Sequence, residues 1–155
     1  MMENYIKSIR EKIGHKPLIL VYAGGIVVNE KNEILLQKRS DFKAWGLPGG
    51  ALEFGETAEE ACIREYFEET GLKVSVVSLL GISTNQIQNY PNGDIGQSVV
   101  IGFVLKSDNI NLFNSNNSET LALKFFKKEN LPTIFNKQHL HFITKYFSGE
   151  YPFYN

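Results

Sequence analysis

Apolar residues recur along this chain with two different periods, and the change of period marks out its elements. Between positions 4 and 13, Tyr5, Ile6, Ile9 and Ile13 stand at helical spacing among polar neighbours, which predicts a short amphipathic helix ended by Gly14. Residues 18–28 and 33–37 are dense in β-branched and aliphatic side chains. The polar Asn29-Glu30-Lys31-Asn32 between them predicts a hairpin with a four-residue turn. Gly24-Gly25 inside the first run predicts either a bulge or the close approach of another backbone. Further strands are expected at 74–82, 98–105 and 121–126, with 83–97 as a polar connecting segment and 137–147 as a C-terminal helix. Helix and strand signals interleave around one central helix, with no repeat and no low-complexity linker. The architecture expected is α/β, a mixed sheet between helices.

The central helix carries the candidate chemistry. Thr57 followed by Glu60 is an S/T-x-x-E capping box and Gly71 a C-terminal stop, so the helix is expected over 58–70. At about 100° per residue, Glu65, Glu68 and Glu69 point the same way, with Ala58, Ala61 and Cys62 beside them and Ile63 and Phe67 on the opposite side. Like-charged neighbours on a helix cost roughly 0.2–0.5 kcal/mol per pair, and Arg64 supplies a single counter-charge. A hard divalent cation, which takes oxygen ligands, would neutralise the cluster; a solvated acidic face is the ordinary alternative. The preceding Trp45-Gly46-Leu47-Pro48-Gly49-Gly50 favours the cation. Three glycines and a proline in six residues make a tight turn whose backbone can approach a metal or a phosphate.

Taken together, residues 50–72 match G-x5-E-x7-R-E-x-x-E-E-x-G at all seven specified positions. In this segment the chain resembles the Nudix hydrolases, most closely over 20–72 and more loosely to about 135. The resemblance implies an α/β/α sandwich with a mixed central sheet. It implies Mg²⁺, with Mn²⁺ as a substitute, held by the Gly49 carbonyl, Glu65, Glu68 and Glu69, with Arg64 orienting the carboxylates and Glu56 in a supporting role. Glu119, in the loop before the last strand, matches the acid that in many such proteins reaches the metal centre. The implied reaction is attack of water on the P–O–P link of a nucleoside diphosphate derivative or nucleoside triphosphate, with Glu65, Glu68 or Glu119 as the base. A nucleotide-sensing or interaction protein on the same fold is the alternative, against which the intact acid set speaks. One position departs from the pattern: Tyr66 stands where an aliphatic residue is usual, and is expected at the edge of the helix–sheet contact with its hydroxyl on a polar partner or water.

Composition narrows the partners. With 16 basic and 17 acidic residues the formal net charge is −1, which gives no electrostatic footprint for a polynucleotide or an anionic membrane. Cys62 is the sole cysteine, so no intramolecular disulfide or cysteine-based zinc site can form, and an inert packed thiol is expected. The first twelve residues are polar and charged and no apolar stretch nears the ~20 residues of a membrane span, from which a cytoplasmic protein is expected. The 155 residues read as one domain with a short helical extension over 1–15, acting on a small nucleotide, with a homodimer allowed.

Substrate-binding candidates lie outside the signature. Arg39, after Lys38 at the end of the second strand, is placed to reach a terminal phosphate. Phe42, Trp45 and Tyr90 offer rings for stacking on a base, although Trp45 suits packing under the glycine loop better. Gln88 and Tyr90 belong to the polar stretch 84–96, read as a loop that recognises the variable group by hydrogen bonds. Tyr90 falls eighteen residues after Leu72, a spacing that resembles dinucleoside polyphosphate hydrolases; Pro91 lies too far along for the proline of ADP-ribose enzymes, and motifs of NADH and coenzyme A pyrophosphatases are not visible.

Overall fold

The computed structural model describes residues 4–155. In chain order the elements are α1 (Tyr5–Ile13), β1 (Leu18–Val27), β2 (Ile34–Arg39), β3 (Trp45–Gly46), β4 (Gly49–Ala51), α2 (Ala58–Thr70), β5 (Ser75–Asn89), β6 (Ile95–Lys106), β7 (Thr120–Phe126), α3 (Lys137–Ser148) and β8 (Phe153–Tyr154). A five-stranded sheet has the order β4-β1-β6-β5-β8, and β3-β2-β7 form a second, three-stranded antiparallel sheet. The larger sheet is mixed, because β1 runs parallel to β6 and β5 to β8, while β4 pairs antiparallel with β1 and β5 antiparallel with β6.

Two apolar clusters hold the helices on the strands. Ala61, Cys62 and Tyr66 of α2 pack with Ala23, Val27, Leu35 and Leu105, while Phe142 and Ile143 of α3 pack with Ile26, Ile34, Leu36, Leu80 and Val100. Alternate residues of β1 thus feed opposite clusters, as the two-residue period of a strand requires. The expected α/β layering with a mixed sheet is present.

The hairpin of 18–37 is there only at its turn. Asn29 caps the turn through its side chain, accepting from the amides of Lys31 and Glu33 at 3.0 Å each, but β1 and β2 meet at a single bridge, Val28 to Ile34, and then enter different sheets. The partner that draws β1 away is β6, matched over ten consecutive residues. The glycine pair contains no register break; it is a close approach, since a Cβ on Gly24 would lie 2.5 Å from the Pro48 carbonyl oxygen. That contact brings the glycine turn of 45–50 down onto the sheet.

Stretch 83–97 is mostly strand, not loop: β5 continues to Asn89 and β6 begins at Ile95, leaving a tight turn around Pro91–Gly93. Three irregularities in the β5–β6 register interrupt the two-residue alternation. Its side chains are polar because they face the cavity and solvent, while its backbone is paired. Gln88 therefore projects from a strand.

Tyr66 also departs from expectation. It is fully enclosed in the α2 cluster, and its hydroxyl lies against the Val27 backbone without a hydrogen bond of good geometry, so burial pushes the phenol far above its ordinary pKa. The α2 face turned to the core is Ala61, Cys62, Tyr66, Glu69 and Thr70; Phe67 is half exposed. An unpartnered buried hydroxyl costs about 1–3 kcal/mol. Tyr66→Phe is therefore expected to hold or raise stability by up to ~1 kcal/mol in urea unfolding. A comparable loss would mean that the hydroxyl is bonded.

Candidate active site

The signature helix begins as a capped helix should. Thr57 Oγ1 accepts from the Glu60 amide and Glu60 Oε1 accepts in turn from the Thr57 amide, each at 3.1 Å, and Gly71 closes the helix in the left-handed region at φ 76°. These ends fix which face meets the sheet, and with it the placement of the acids.

Glu69 is the most enclosed of them, 6% exposed. Its carboxylate accepts from the Gly49 amide at 2.8 Å and from Gln37 Nε2 at 3.1 Å, and Gln37 in turn bonds Thr120 Oγ1 at 2.8 Å. Glu65 lies against Gly50, where any Cβ would overlap its carboxyl group. Carboxylate oxygens of Glu65, Glu69 and Glu119 lie within 4.8 Å of one another. Glu119 arrives from the far side, held by the loop before β7: Asn117 donates to the Glu69 carbonyl at 3.0 Å and accepts from the Glu119 amide at 3.1 Å, while the Ser40 amide donates to the Glu119 carbonyl at 3.0 Å. The polar run before β7 is thus the mount of an acid.

Arg64 ties the rest together. It donates to Glu56 at 2.7 and 2.8 Å, to Glu65 at 2.9 Å and to the Ala51 carbonyl at 3.1 Å, and Glu56 accepts from the Glu53 amide at 2.8 Å. These bonds hold Glu56 below the usual carboxylate range and raise Arg64 above its own. Glu68 is separate. It is 56% exposed, 3.3 Å from Arg64, and its carboxylate stands outside the three-acid cluster.

Burial lifts the pKa of Glu65 to about 7 and that of Glu69 to about 8; the charges of Glu68 and Glu119 add to the rise at Glu65, and those of Glu65 and Glu119 to the rise at Glu69. Two carboxyl groups that resist ionisation beside a third acid, all offering hard oxygen donors, suit a divalent cation that would favour their charged forms. The residues present fit Mg²⁺ or Mn²⁺.

A cavity of about 350 Å³ leads from this cluster to a wall that includes Leu20, Tyr22, Tyr90, Phe135 and His139. The substrate-binding candidates line it but are already engaged. Arg39 holds Asp41 with bonds of 2.9 and 2.8 Å and stacks 4.4 Å from the Phe135 ring centre, so it is not a free cation. Tyr90 shares a hydrogen bond of 3.1 Å with Tyr22, whose hydroxyl burial raises well above its ordinary pKa, and Gln88 accepts from Asn136 at 3.1 Å. Phe42 lies 5.7 Å from Tyr90, whereas Trp45 packs edge-on against Phe126 and serves the loop's anchorage. His139 was not among the sequence candidates. Its Nδ1 accepts from the Leu47 amide at 2.9 Å, and burial with Arg39 nearby lowers its pKa to about 3, so it is neutral and carries its proton on Nε2. Asn136, the N-cap of α3, lies three residues before it.

Comparison with known proteins agrees with this geometry. A family model described as NUDIX domain matches residues 19–146, and the chain belongs to that family. It is 49% identical over 57 residues to a putative 8-oxo-dGTP diphosphatase of Bacillus subtilis (strain 168), covering 37% of this chain and 38% of that protein. It is 39% identical over 115 residues to an ADP-ribose pyrophosphatase of Methanocaldococcus jannaschii, covering 70% and 62%. The matched segments thus span less than two thirds of these relatives' lengths. Among solved structures, a NUDIX hydrolase from Nitrosomonas europaea superposes with TM-score 0.71 at 22% identity, over 87% of this chain and 77% of that one. An ADP-ribose pyrophosphatase from Streptococcus suis gives 0.65 at 21%, over 88% and 98%. At these identities the likeness speaks for the fold.

The acid pKa values make a stability prediction. A carboxyl whose folded pKa is raised binds its proton more tightly in the native state, so its contribution is full below the unfolded value and lost as pH rises through the folded one. In metal-free buffer, thermal stability is expected to fall as pH is raised from 5 to 9, through the values near 7 and 8 of Glu65 and Glu69. Glu69→Gln should flatten that fall, and Mg²⁺ should offset it. A wild-type Tm that is flat with chelator across the range would contradict this electrostatic picture.

Proposed function

We propose that this chain is a divalent-metal-dependent pyrophosphohydrolase, cleaving the P–O–P link of a nucleoside diphosphate derivative or nucleoside triphosphate by attack of water at phosphorus. The observation that carries the reading is the convergence of Glu65, Glu69 and Glu119 beside the glycine turn. The compounds in the names of the two curated relatives, 8-oxo-dGTP and ADP-ribose, share a nucleoside diphosphate core, which supports the substrate class. The ions would be held by Glu65, Glu69, Glu119 and the Gly49 carbonyl, with Glu68 at the rim. When bound, Mg²⁺ supplies charge neutralisation for the diphosphate and a more acidic water.

The chain's own residues do the rest. Arg64 fixes the orientation of Glu65, and Glu65 accepts the proton of the attacking water as the new O–P bond forms. The bridging P–O bond breaks and the leaving phosphate keeps its electron pair. Tyr90 and Gln88 face the variable group, and Arg39 meets a phosphate by exchanging its Asp41 partner. This reading treats residues 1–155 as one domain of a cytoplasmic protein. No helix among the described residues is long and apolar enough to cross a membrane.

A hydrolysis screen over nucleoside triphosphates, sugar nucleotides and dinucleoside polyphosphates tests the reaction. Turnover is expected only with Mg²⁺ or Mn²⁺, and Glu65→Gln or Glu69→Gln should lower kcat by at least ~10²-fold in a folded protein. Near wild-type turnover in both variants would remove the site. Gln88→Ala and Tyr90→Ala should instead shift kcat/KM ratios between substrates by roughly two- to tenfold, the worth of one hydrogen bond. Equal depression of every substrate would refute their role in recognition.

A further inference from the structure

We propose that α1 is the selectivity wall of this cavity, lying over the end that takes the nucleoside of the substrate and held there by a latch centred on Asp94. The inference rests on the nucleotide reading above. It concerns a part of the chain that lies before the matched domain, residues 19–146.

Asn4 and, from α1, Ile6 and Arg10 line the same cavity as the acid cluster. At its start the Tyr5 amide donates to Glu53 Oε2 at 2.7 Å, in the loop after β4. At its other end Arg10 donates to the carbonyls of Ile95 at 2.8 Å and Gly14 at 3.0 Å and to that of Lys16, and its Nε lies 3.6 Å from Asp94. His15 donates to the same Asp94 at 2.7 Å, and that bond holds the Asp94 carboxyl below its usual range. Nine helical residues measure roughly 14 Å, so α1 bridges the β4 loop and the β5–β6 turn as a beam across the rim.

The cavity has two chemically different ends. One carries Glu65, Glu69 and Glu119, suited to a metal-bound diphosphate; the other has the hydrogen-bonded Tyr22 and Tyr90 near Leu20, suited to a flat base and its sugar, and Ile6 of α1 lines the same cavity. No residue of α1 is fully buried, and its apolar face of Ile6, Ile9 and Ile13 is only half-buried, so the helix is held by the polar contacts at its ends together with a shallow apolar seat, a hold light enough for the wall to shift. A cavity of about 350 Å³ is also small for a ligand site, which typically measures ~300–1,000 Å³, so a shift of this wall changes what fits.

The test compares binding of two probes in Mg²⁺ buffer by calorimetry: inorganic diphosphate, and the tightest of the α,β-methylene analogues of ATP, GTP, CTP and UTP. Asp94→Asn, which loosens the latch, and Ile6→Ser, which leaves the latch and alters the wall, should each raise the ratio of nucleotide Kd to diphosphate Kd by about three- to tenfold. Hydrogen exchange of the α1 amides should slow when the nucleotide binds to the wild-type protein and not when diphosphate binds. Ratios within twofold of wild type in both variants would overturn the wall while leaving the nucleotide reading in place. Equal weakening of both probes would reduce α1 to a structural support and also overturn it. A wild-type protein that binds diphosphate and none of the analogues would overturn both readings.

Discussion

Glu69 is an acid placed where water barely reaches, and much of the structure near the site can be read as the means of keeping it there. Its carboxylate takes one bond from the main chain of the glycine turn and one from Gln37, which is anchored by Thr120. Gly49 belongs to β4, Gln37 to β2 and Thr120 to β7, so a single side chain of α2 ties the helix to both sheets. A buried carboxyl without such partners would cost several kcal/mol and would be expelled or protonated. The raised pKa values of Glu65 and Glu69 show that the partners compensate only in part. A bound divalent cation would relieve that residual electrostatic penalty, so the arrangement that burdens the metal-free fold is also one that suits a cation.

Close packing makes that placement feasible. Ala61 and Cys62 let α2 settle on the sheet, and the bare Cα of Gly50 leaves the space that the Glu65 carboxyl group occupies. Gly24 does the same for the turn, admitting the Pro48 carbonyl against β1. Small residues here serve distance, and the distance sets the chemistry: one methyl group at position 50 would displace an acid of the cluster.

What the sequence disclosed follows from the range over which each signal acts. The capped helix 58–70, its acid face and its glycine stop are written in contiguous residues, and the structure reproduces them to the terminal positions. Glu119 was legible by position, and its mount, the Asn117 bonds to α2, explains the polar run before it. The fate of β1 and β2 was not, since a turn signal reports the turn and not whether the strands beyond it stay paired; a parallel match to β6, some eighty residues away, decided that. Burial does alternate over 84–89, but the residues on both faces are almost all polar, so no apolar period revealed 83–89 as strand. Tyr66 was misplaced at the helix edge because a phenol normally seeks a partner, and here the space beside Val27 encloses the ring without giving its hydroxyl one. His139 left no local sign, for its meaning lies in an amide 92 residues earlier.

The two ends of the cavity also differ in what holds them. At the acid end side-chain bonds, Arg64 to Glu56 and Glu65 and Gln37 to Glu69, are joined by bonds with main-chain groups: the Gly49 amide to Glu69, the Glu53 amide to Glu56, the Ala51 carbonyl to Arg64. The main-chain partners persist whatever side chains the turn carries, so that part of the hold depends on the path of the turn. At the other end side chains hold side chains, Tyr22 with Tyr90, Gln88 with Asn136, Arg39 with Asp41 and Phe135. Two of those pairs also reach the backbone, since Asn136 accepts from the His139 amide as the cap of α3 and Asp41 accepts from the Phe42 amide. The acids of the signature are held within a contiguous stretch and its turn, whereas the far wall is assembled from side chains distant in sequence, which is why a short signature can announce the family and leave the substrate unread.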